Sequence, residues 1–361
     1  MKSDKLLKTL SKGRSMVSNA PTREDFVGTG STLLNLACSG RAFGGFAKGH
    51  YYLFVGDSSS GKTFDCLTCF AEAANNPAFD NYRLIYDDVE HGALMDFEKF
   101  FGSKTAKRVE PPTLDDKGQP EYSSTAEEFY YHLDDVLKEG KPFIYVLDSE
   151  NALSSGSEES KFAEQKEAHD KGKEAAGSYG DGKAKTHSQN LRRICAALRD
   201  TKSILIIISQ TRDKLGFGFE KKTRSGGRAL KFYATLEMWT SVEGKIKKTV
   251  AGKPRTIGVN TLVQVKKNRF TGKDRTISID IYHSIGIDDI GANIDYLVEE
   301  KYWSATKGKI GAVDFGIVGS KEDIVSHVEQ NGLEKKLAVL VARKWKEIEE
   351  ACALVRKPRY G

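Results

Sequence analysis

The sequence predicts an α/β protein with a mainly parallel central sheet. Four short apolar runs, YYLFV, RLIYD, FIYVL and ILIII, occupy residues 51–55, 83–87, 143–147 and 204–208. Helical stretches separate these runs, which is typical of βαβ units whose strands are covered on both faces. Between the first run and the helical stretch after it, GDSSSGKT at residues 56–63 matches the phosphate-binding pattern G-x-x-x-x-G-K-[ST].

The segments on either side of this core differ from it in pattern. Residues 1–27 are basic and predict a short helix and a linker, too small to bury a core, that contacts a neighbouring subunit. The core is expected over residues 28–290, where TLVQV (261–265) and TISIDIY (276–282) predict strands that extend the sheet. Residues 291–361 predict a small C-terminal α/β domain that ends in a helix.

Composition limits the class of protein. The 361 residues are 39% hydrophobic and 29% charged, with a formal net charge of +6. These values are typical of a globular protein rather than a disordered one, and the positive charge suits a polyanion partner. No apolar run approaches the ~20 residues that span a bilayer, and the N-terminus lacks the apolar stretch of a secretory signal. We therefore expect an intracellular protein without a membrane partner.

The phosphate-binding motif predicts an ATP site with a magnesium ion. Backbone N–H groups of such a loop face the phosphates, and the helix N-terminus adds positive potential. Lys62 is expected to reach the β- and γ-phosphates, the hydroxyl of Thr63 to ligate Mg²⁺, and Asp148, at the end of a buried run, to hold the ion or its water shell. The ATP-binding residues expected from these motifs are Gly56, Asp57, Ser58, Ser59, Ser60, Gly61, Lys62, Thr63 and Asp148.

ATP hydrolysis requires a second carboxylate, which polarises the attacking water. The run at 83–87 delivers Asp87, Asp88 and Glu90 to the same sheet edge as Asp148. Local chemistry does not choose among these three carboxylates.

Most of residues 26–315 resembles the bacterial RecA family, including its phage-encoded relatives. DVEH at 88–91 resembles the D-A-E-H that carries the family's catalytic glutamate, and DSENAL at 148–153 resembles the Walker B sequence D-S-x-A-A-L. The most specific match is SQTRDKLG at 209–216 with GGRALKFYA at 226–234, which resembles the second DNA-binding loop and its exit.

The resemblance implies catalytic roles for particular residues. It selects Glu90 as the base, and it makes Gln210 a sensor that shifts the following loop when the γ-phosphate is present. VKKNR at the end of the run near residue 265 resembles V-V-K-N-K, so Lys267 and Arg269 are expected to reach a neighbouring subunit's ATP. Arg269 stands where the family usually has lysine, which keeps the positive charge but changes the geometry of the side chain. Tyr282 is expected beside the adenine.

Two irregular segments, at about 154–187 and 211–228, follow the carboxyl ends of predicted strands, where ligands of open α/β sheets bind. The resemblance makes them DNA-binding loops. The second is basic and glycine-rich with two phenylalanines, which suits phosphate contact and base stacking. Its expected DNA-binding residues are Arg212, Lys214, Phe217, Phe219, Lys221, Lys222, Arg224, Gly226, Gly227 and Arg228. The first is longer than expected, so its contacts are not carried over residue by residue.

The resemblance implies an ATP- and Mg²⁺-dependent recombinase. Such a protein forms helical filaments on single-stranded DNA, pairs it with duplex DNA, and hydrolyses ATP in response to DNA. Mediator or single-strand-binding proteins are further expected partners, and the expected location is the cytoplasm of a bacterial cell or of a phage-infected host. Two alternatives share the ATP site: a hexameric helicase motor, against which the GGRALKFYA loop exit argues, and a nucleotide-gated regulatory ATPase that does not act on DNA.

Overall fold

The computed structural model describes residues 21–171, 182–213, 222–357 and 359. The helix predicted near the N-terminus lies outside these ranges. The described chain begins its regular structure with β1 (Phe26–Val27), α1 (Thr32–Ser39), β2 (Phe46–Ala47), β3 (His50–Gly56) and α2 (Lys62–Ala74). β1 and β2 pair antiparallel, and the phosphate-binding loop joins β3 to α2 as the sequence predicts.

The remaining elements follow the predicted alternation of strands and helices. Up to the second predicted loop they are β4 (Arg83–Asp88), α3 (Phe97–Phe101), α4 (Ser103–Ala106), β5 (Thr113–Leu114), β6 (Pro120–Glu121), α5 (Ala126–Lys138), β7 (Phe143–Asp148), α6 (Gly156–Asp170), α7 (Gly182–Thr201) and β8 (Ile204–Asp213). After it come β9 (Lys222–Arg224), α8 (Gly227–Tyr233), β10 (Leu236–Val250), β11 (Lys253–Asn268), β12 (Arg275–Tyr282), β13 (Gly286–Ile287), α9 (Asp289–Glu299), β14 (Ser304–Thr306), β15 (Lys309–Ala312), β16 (Ile317–Gly319), α10 (Lys321–Gln330) and α11 (Glu334–Ala351).

One large sheet holds the site together. Its strand order is β13-β12-β11-β10-β3-β8-β7-β4, and β9 pairs with β8 outside this path. The strands from β10 to β4 run parallel, whereas β11, β12 and β13 continue the sheet antiparallel. The predicted mainly parallel sheet is confirmed, and the runs at 261–265 and 276–282 do extend it.

Both faces of the sheet are buried because side chains alternate along each strand. In β3, Tyr52 and Phe54 belong to one apolar layer, while Tyr51, Leu53 and Val55 belong to the other. We call these layers the first face and the second face. α1 and α2 cover the first face, and α5, α7 and α8 cover the second. This double cover explains why the central strands read as continuous apolar runs.

The C-terminal region adds a small sheet of β14, β15 and β16. Its apolar side chains, including Ile294, Leu297, Leu337 and Val341, continue the layer of the first face. The domain boundary predicted at residue 291 remains a prediction. The apolar layer of the first face continues across this position. None of the helices within the described ranges combines the length and apolarity needed to cross a membrane.

A charged cluster fastens α11 to β12. The carboxylate of Glu349 accepts hydrogen bonds from Arg275 Nε at 2.6 Å and Nη2 at 2.9 Å, and it also pairs with Lys273. Hydrogen bonding from Arg275, together with the two positive charges, lowers the pKa of Glu349 to about 2. The charged carboxylate therefore contributes to the stability of the folded chain.

Glu349→Gln is expected to lower the free energy of unfolding by about 1–2 kcal/mol at neutral pH, because two cations lose their partner. The folded pKa lies below the ordinary value of 4.5, so the contribution is complete above that value and is lost as the pH falls toward 2. Denaturant unfolding at neutral and low pH measures the change. Glu350→Gln removes an exposed carboxylate paired with Lys346 at 3.5 Å and serves as control; equal losses from both variants would contradict the assignment.

Candidate nucleotide and DNA site

The carboxyl ends of four parallel strands meet at one edge of the sheet. Gly56, at the end of β3, lies opposite Gln210 in β8, and Asp88, at the end of β4, lies opposite Asp148 in β7. The fold therefore brings together the phosphate-binding loop, the two acidic strand ends and the start of the second predicted DNA-binding loop. Ligands of doubly covered α/β sheets bind at this edge.

The phosphate-binding loop is tightly curled. Ser59 and Gly61 have φ angles of 60° and 82°, and a Cβ atom at Gly61 would lie 2.5 Å from Ile281 Cδ1, so glycine is required there for conformation and space. The amino group of Lys62 turns back into the loop and donates a hydrogen bond to the carbonyl of Asp57 at 2.5 Å. The loop thus holds a cation where the motif places the phosphates.

A hydroxyl and a carboxylate form a candidate magnesium site beside the loop. Thr63 Oγ1 donates to Asp148 Oδ2 at 2.6 Å, and the hydroxyl of Tyr86 donates to the same oxygen at 3.1 Å. Burial raises the pKa of Asp148, the hydrogen bond from Thr63 opposes the shift, and the charge of Glu90 adds to it. These oxygens fit Mg²⁺ in donor chemistry, and a divalent cation would offset the acidic charge gathered there.

Two of the three candidate bases are occupied by structural contacts. Asp87 is buried and accepts hydrogen bonds from the backbone N–H and hydroxyl of Ser123 at 3.0 and 2.6 Å and from the hydroxyl of Tyr145 at 2.7 Å. Asp88 accepts two backbone N–H groups of the following turn, at 3.0 and 3.2 Å. Both carboxylates therefore hold loops in place.

The third carboxylate, Glu90, is exposed and faces the strand ends. Its Oε1 accepts a hydrogen bond from Gln210 Nε2 at 2.7 Å and another from the hydroxyl of Ser149. Glu90 also lies close enough to Lys62 to act on it: burial lowers the pKa of Lys62, and the charges of Asp148 and Glu90 oppose that shift. Geometry thus favours Glu90 among the three carboxylates that the sequence offers.

Gln210 and Thr211, where the second predicted loop begins, contact residues around the candidate nucleotide site. The backbone N–H of Gln210 donates to Asn151 Oδ1 at 2.6 Å, and the hydroxyl of Thr211 donates to the carboxylate of Asp57. A displacement in the phosphate-binding loop therefore reaches the start of the second loop through one hydrogen bond.

Comparison with known proteins identifies the family. The sequence profile of the RecA N-terminal domain matches residues 4–288. The chain is 31% identical over 303 residues to Protein RecA of Cytophaga hutchinsonii, an alignment that covers 82% of this chain and 75% of that protein. The chain belongs to the RecA family. Membership makes it a recombinase-type, nucleotide-hydrolysing ATPase of DNA recombination and repair, in a family whose members bind DNA and bind ATP with Mg²⁺.

Only part of the DNA side of this RecA-family chain is described. Lys214, Phe217, Phe219 and Lys221 lie outside the described residues, and Lys222 is described only as backbone of β9. Of the other predicted contacts, Arg212 and Arg228 are exposed. They border the segment from both sides and remain predicted phosphate contacts.

Gly226 and Gly227 have a packing role as well as a predicted DNA role. Their φ angles are 74° and 73°, which favour glycine, and they start α8. A Cβ atom at Gly227 would lie 2.6 Å from Cβ of Ala184 in α7, and one at Gly226 would lie 2.7 Å from Glu150 Oε1. The exit of the second loop therefore approaches its neighbours too closely for a side chain.

Arg224, a predicted DNA contact, pairs with a buried carboxylate of its own chain. Its Nε lies 3.3 Å from the buried carboxylate of Glu237, its Nη1 donates to the carbonyl of Gly227 at 2.6 Å, and its side chain is 10% exposed. The guanidinium thus points inward and holds the loop exit against β10. Its contact with a DNA phosphate remains a prediction.

Lys267 and Arg269 lie far from the phosphate-binding loop of their own chain. Lys267 is level with Leu53, three residues or about 10 Å before Gly56 along the strand direction. Their side chains donate to the carbonyl of Phe232, at 2.9 Å and 2.7 Å. Phe232 belongs to α8, which covers the second face, whereas α2 covers the first.

Burial, assisted by the charge of Arg269, lowers the pKa of Lys267 to about 8. An anion beside Lys267 would raise this pKa again. Phe232, whose carbonyl accepts hydrogen bonds from both side chains, is itself 65% exposed. Tyr282 directly follows Ile281, whose side chain lies beside Gly61 of the phosphate-binding loop. The predicted adenine contact is therefore at the same edge of the sheet as that loop.

Sequence reasoning missed several side chains that organise this RecA-family site. Ser149 and Asn151 were inside the Walker B-like match but had no assigned role, although both are polar residues directly after a buried strand. Tyr86 gave no signal, since a tyrosine in an apolar strand reads as core. Phe232 was part of the loop-exit match, but nothing in the sequence indicated that its carbonyl accepts hydrogen bonds from Lys267 and Arg269.

Proposed function

We propose that this chain assembles into a helical filament on single-stranded DNA in the presence of ATP and catalyses homologous pairing and strand exchange with duplex DNA. DNA stimulates ATP hydrolysis, and hydrolysis weakens the hold on DNA. The observation that carries this proposal is the contact of Gln210 with Glu90 at 2.7 Å, because Gln210 is both a neighbour of the candidate base and the entry to the second predicted DNA-binding loop.

The chemistry follows from the residues at the strand ends. Lys62 binds the β- and γ-phosphates, and Thr63 with Asp148 holds the magnesium ion, which supplies charge neutralisation when bound. Glu90 accepts the proton of the attacking water. Gln210 exchanges its bond to Glu90 for one to the γ-phosphate, and this exchange shifts the loop that begins with Thr211.

In the proposed filament, a neighbouring subunit completes the nucleotide site. Lys267 lies about 10 Å back along the strands from the phosphate-binding loop of its own chain. Lys267 and Arg269 also contact α8 on the other face of the sheet, so they act on the nucleotide of the next subunit. There they neutralise charge on the γ-phosphate, which links nucleotide state to subunit contact. Exposed Phe232 lies beside them at the same contact.

The test is binding to single-stranded oligo(dT) with a slowly hydrolysed ATP analogue, with ADP and without nucleotide. We expect binding to be at least about tenfold tighter with the analogue, and ATP hydrolysis to rise on addition of the oligonucleotide. Gln210→Ala should bind ATP but lose most of this stimulation. Gln264→Ala is the matched control, because it removes a half-buried glutamine of β11 that donates to the carboxylate of Asp274.

Equal affinity for DNA in all three nucleotide states would refute the proposal. A strand-exchange assay then separates the recombinase from a helicase motor of the same fold, which would unwind a forked duplex directionally instead of exchanging strands. A hydrolysis rate that DNA leaves unchanged would favour a regulatory ATPase.

A further inference from the structure

The four residues at the end of β7 each contact a different part of the site. Asp148 is hydrogen-bonded to Thr63 in the candidate magnesium site, and Ser149 donates to the carboxylate of the candidate base. Asn151 accepts the backbone N–H of Gln210. The carboxylate of the remaining residue, Glu150, contacts Ser225, His187 and Lys183 instead.

Glu150 is fully buried and binds the ends of both predicted DNA-binding loops. One carboxylate oxygen accepts a hydrogen bond from the hydroxyl of Ser225, at the exit of the second loop. The other oxygen lies 3.4 Å from His187 Nε2 and 3.9 Å from Lys183 Nζ. Both residues are in the first two turns of α7, at the end of the first predicted DNA-binding loop. One side chain thus joins two segments that are far apart in sequence.

The histidine in this cluster has a polar partner at each ring nitrogen. A carboxylate only accepts hydrogen bonds, so His187 Nε2 is the donor toward Glu150. Its Nδ1 is 2.9 Å from the hydroxyl of Tyr130 in α5. His187 and Glu150 are both fully buried, and Tyr130 is almost so. The cluster is therefore a hydrogen-bonded core feature rather than a surface ion pair.

This arrangement restricts how the loop ends can move. A buried carboxylate without its donors is strongly destabilised, so Ser225 and the start of α7 cannot leave Glu150 separately. Gly226 adds a steric limit, because a Cβ atom there would lie 2.7 Å from Glu150 Oε1. Since Glu150 lies between Ser149 and Asn151, a shift of either loop end displaces the backbone that positions Glu90 and Gln210.

We propose that Glu150 is a positioning residue that transmits DNA contact from both loops to the hydrolytic site, an inference that rests on the DNA-stimulated activity proposed above. Glu150 touches neither ATP nor DNA. It fixes the relative positions of the two loop ends and of residues 148–151, so that occupation of the loops by one DNA strand aligns the candidate base.

The test compares Glu150→Gln with the unaltered full-length chain in ATP hydrolysis titrated with oligo(dT). We expect the stimulated rate to fall about fivefold or more, or the half-saturating oligo(dT) concentration to rise by that factor, while the KM for ATP stays within about twofold. A purely structural loss would change the KM for ATP and the folded fraction together. Circular dichroism melting reports that fraction.

Ser225→Ala is the second variant, because it removes one hydroxyl donor and leaves the carboxylate in place. It should show the same loss of DNA response, and Ser225→Thr, which keeps the hydroxyl, should restore it. Ser203→Ala is the matched control: this serine is also buried but lies at the other end of the strands, where its hydroxyl accepts a hydrogen bond from the N–H of Phe143 at 3.2 Å. The double variant of Glu150 and Ser225 should lose no more response than either single variant.

The outcomes separate the two proposals. If DNA does not stimulate the unaltered chain, the proposed function fails. If DNA does stimulate it, and Ser225→Ala and Glu150→Gln respond to oligo(dT) as the unaltered chain does, the role of Glu150 is refuted. If Glu150→Gln does not fold, the Ser225 pair decides alone: a normal response in Ser225→Ala refutes the coupling, and a lost response restored by Ser225→Thr supports it.

Discussion

Glu90→Gln is expected to lower the rate of ATP hydrolysis by about 100- to 10,000-fold while ATP binding persists. The amide keeps an oxygen that can accept the hydrogen bonds of Gln210 and Ser149, so the strand ends keep their arrangement. It cannot accept the proton of the attacking water. The variant should therefore remain bound to DNA in the ATP state long after the unaltered chain has dissociated.

Single-turnover hydrolysis and the lifetime of the DNA complex measure these two effects. Glu121→Gln is a suitable control, since it removes an exposed carboxylate on β6. Normal hydrolysis by Glu90→Gln would transfer the role of base to Asp87 or Asp88. The contacts of both with backbone and hydroxyl donors make that transfer unfavourable, because a base in either position would have to leave a loop it holds.

The second large effect concerns the cations expected to act between subunits. The double variant Lys267→Ala, Arg269→Ala should hydrolyse ATP about 100- to 1,000-fold more slowly, as expected when charge stabilisation of the transition state is removed. Mixing it with an equal amount of Glu90→Gln should restore about a quarter of the unaltered rate, because that share of head-to-tail contacts pairs an intact base with intact cations.

Recovery on mixing distinguishes action on the neighbour from action within one chain. If Lys267 and Arg269 served the nucleotide of their own subunit, every subunit in the mixture would still lack one component, and no activity would return. Lys266→Ala is the control for the neighbouring charge: this lysine lies 3.8 Å over the ring of Trp239 and contacts neither Phe232 nor its carbonyl. It should leave the rate unchanged.

The strands and the nucleotide site could be predicted because their signals are local. Continuous apolar runs predict strands buried on both faces, and the phosphate-binding loop has a fixed spacing between its glycines, Lys62 and Thr63. The choice among Asp87, Asp88 and Glu90 could not be made from local chemistry. It depends on Ser123 and Tyr145, which reach Asp87 only after α5 and β7 are in place.

Contacts between distant segments escaped prediction for the same reason. Arg224 reads as one more cation in a basic loop, and only the buried carboxylate of Glu237 turns it inward. Glu150 occupies the variable position of a Walker B-like match, so the pattern assigns it nothing. Its partners Lys183, His187 and Ser225 lie 33, 37 and 75 residues further along the chain, and no periodicity connects them.

If Lys267 and Arg269 act on the neighbour's nucleotide as proposed, the assembly has two unlike ends. At one terminus a subunit would have a nucleotide pocket that no neighbour completes, while at the other the two cations would have no nucleotide to contact. The uncompleted pocket would then hydrolyse ATP more slowly than those inside the polymer. We therefore expect subunits to be gained and lost at different rates at the two termini.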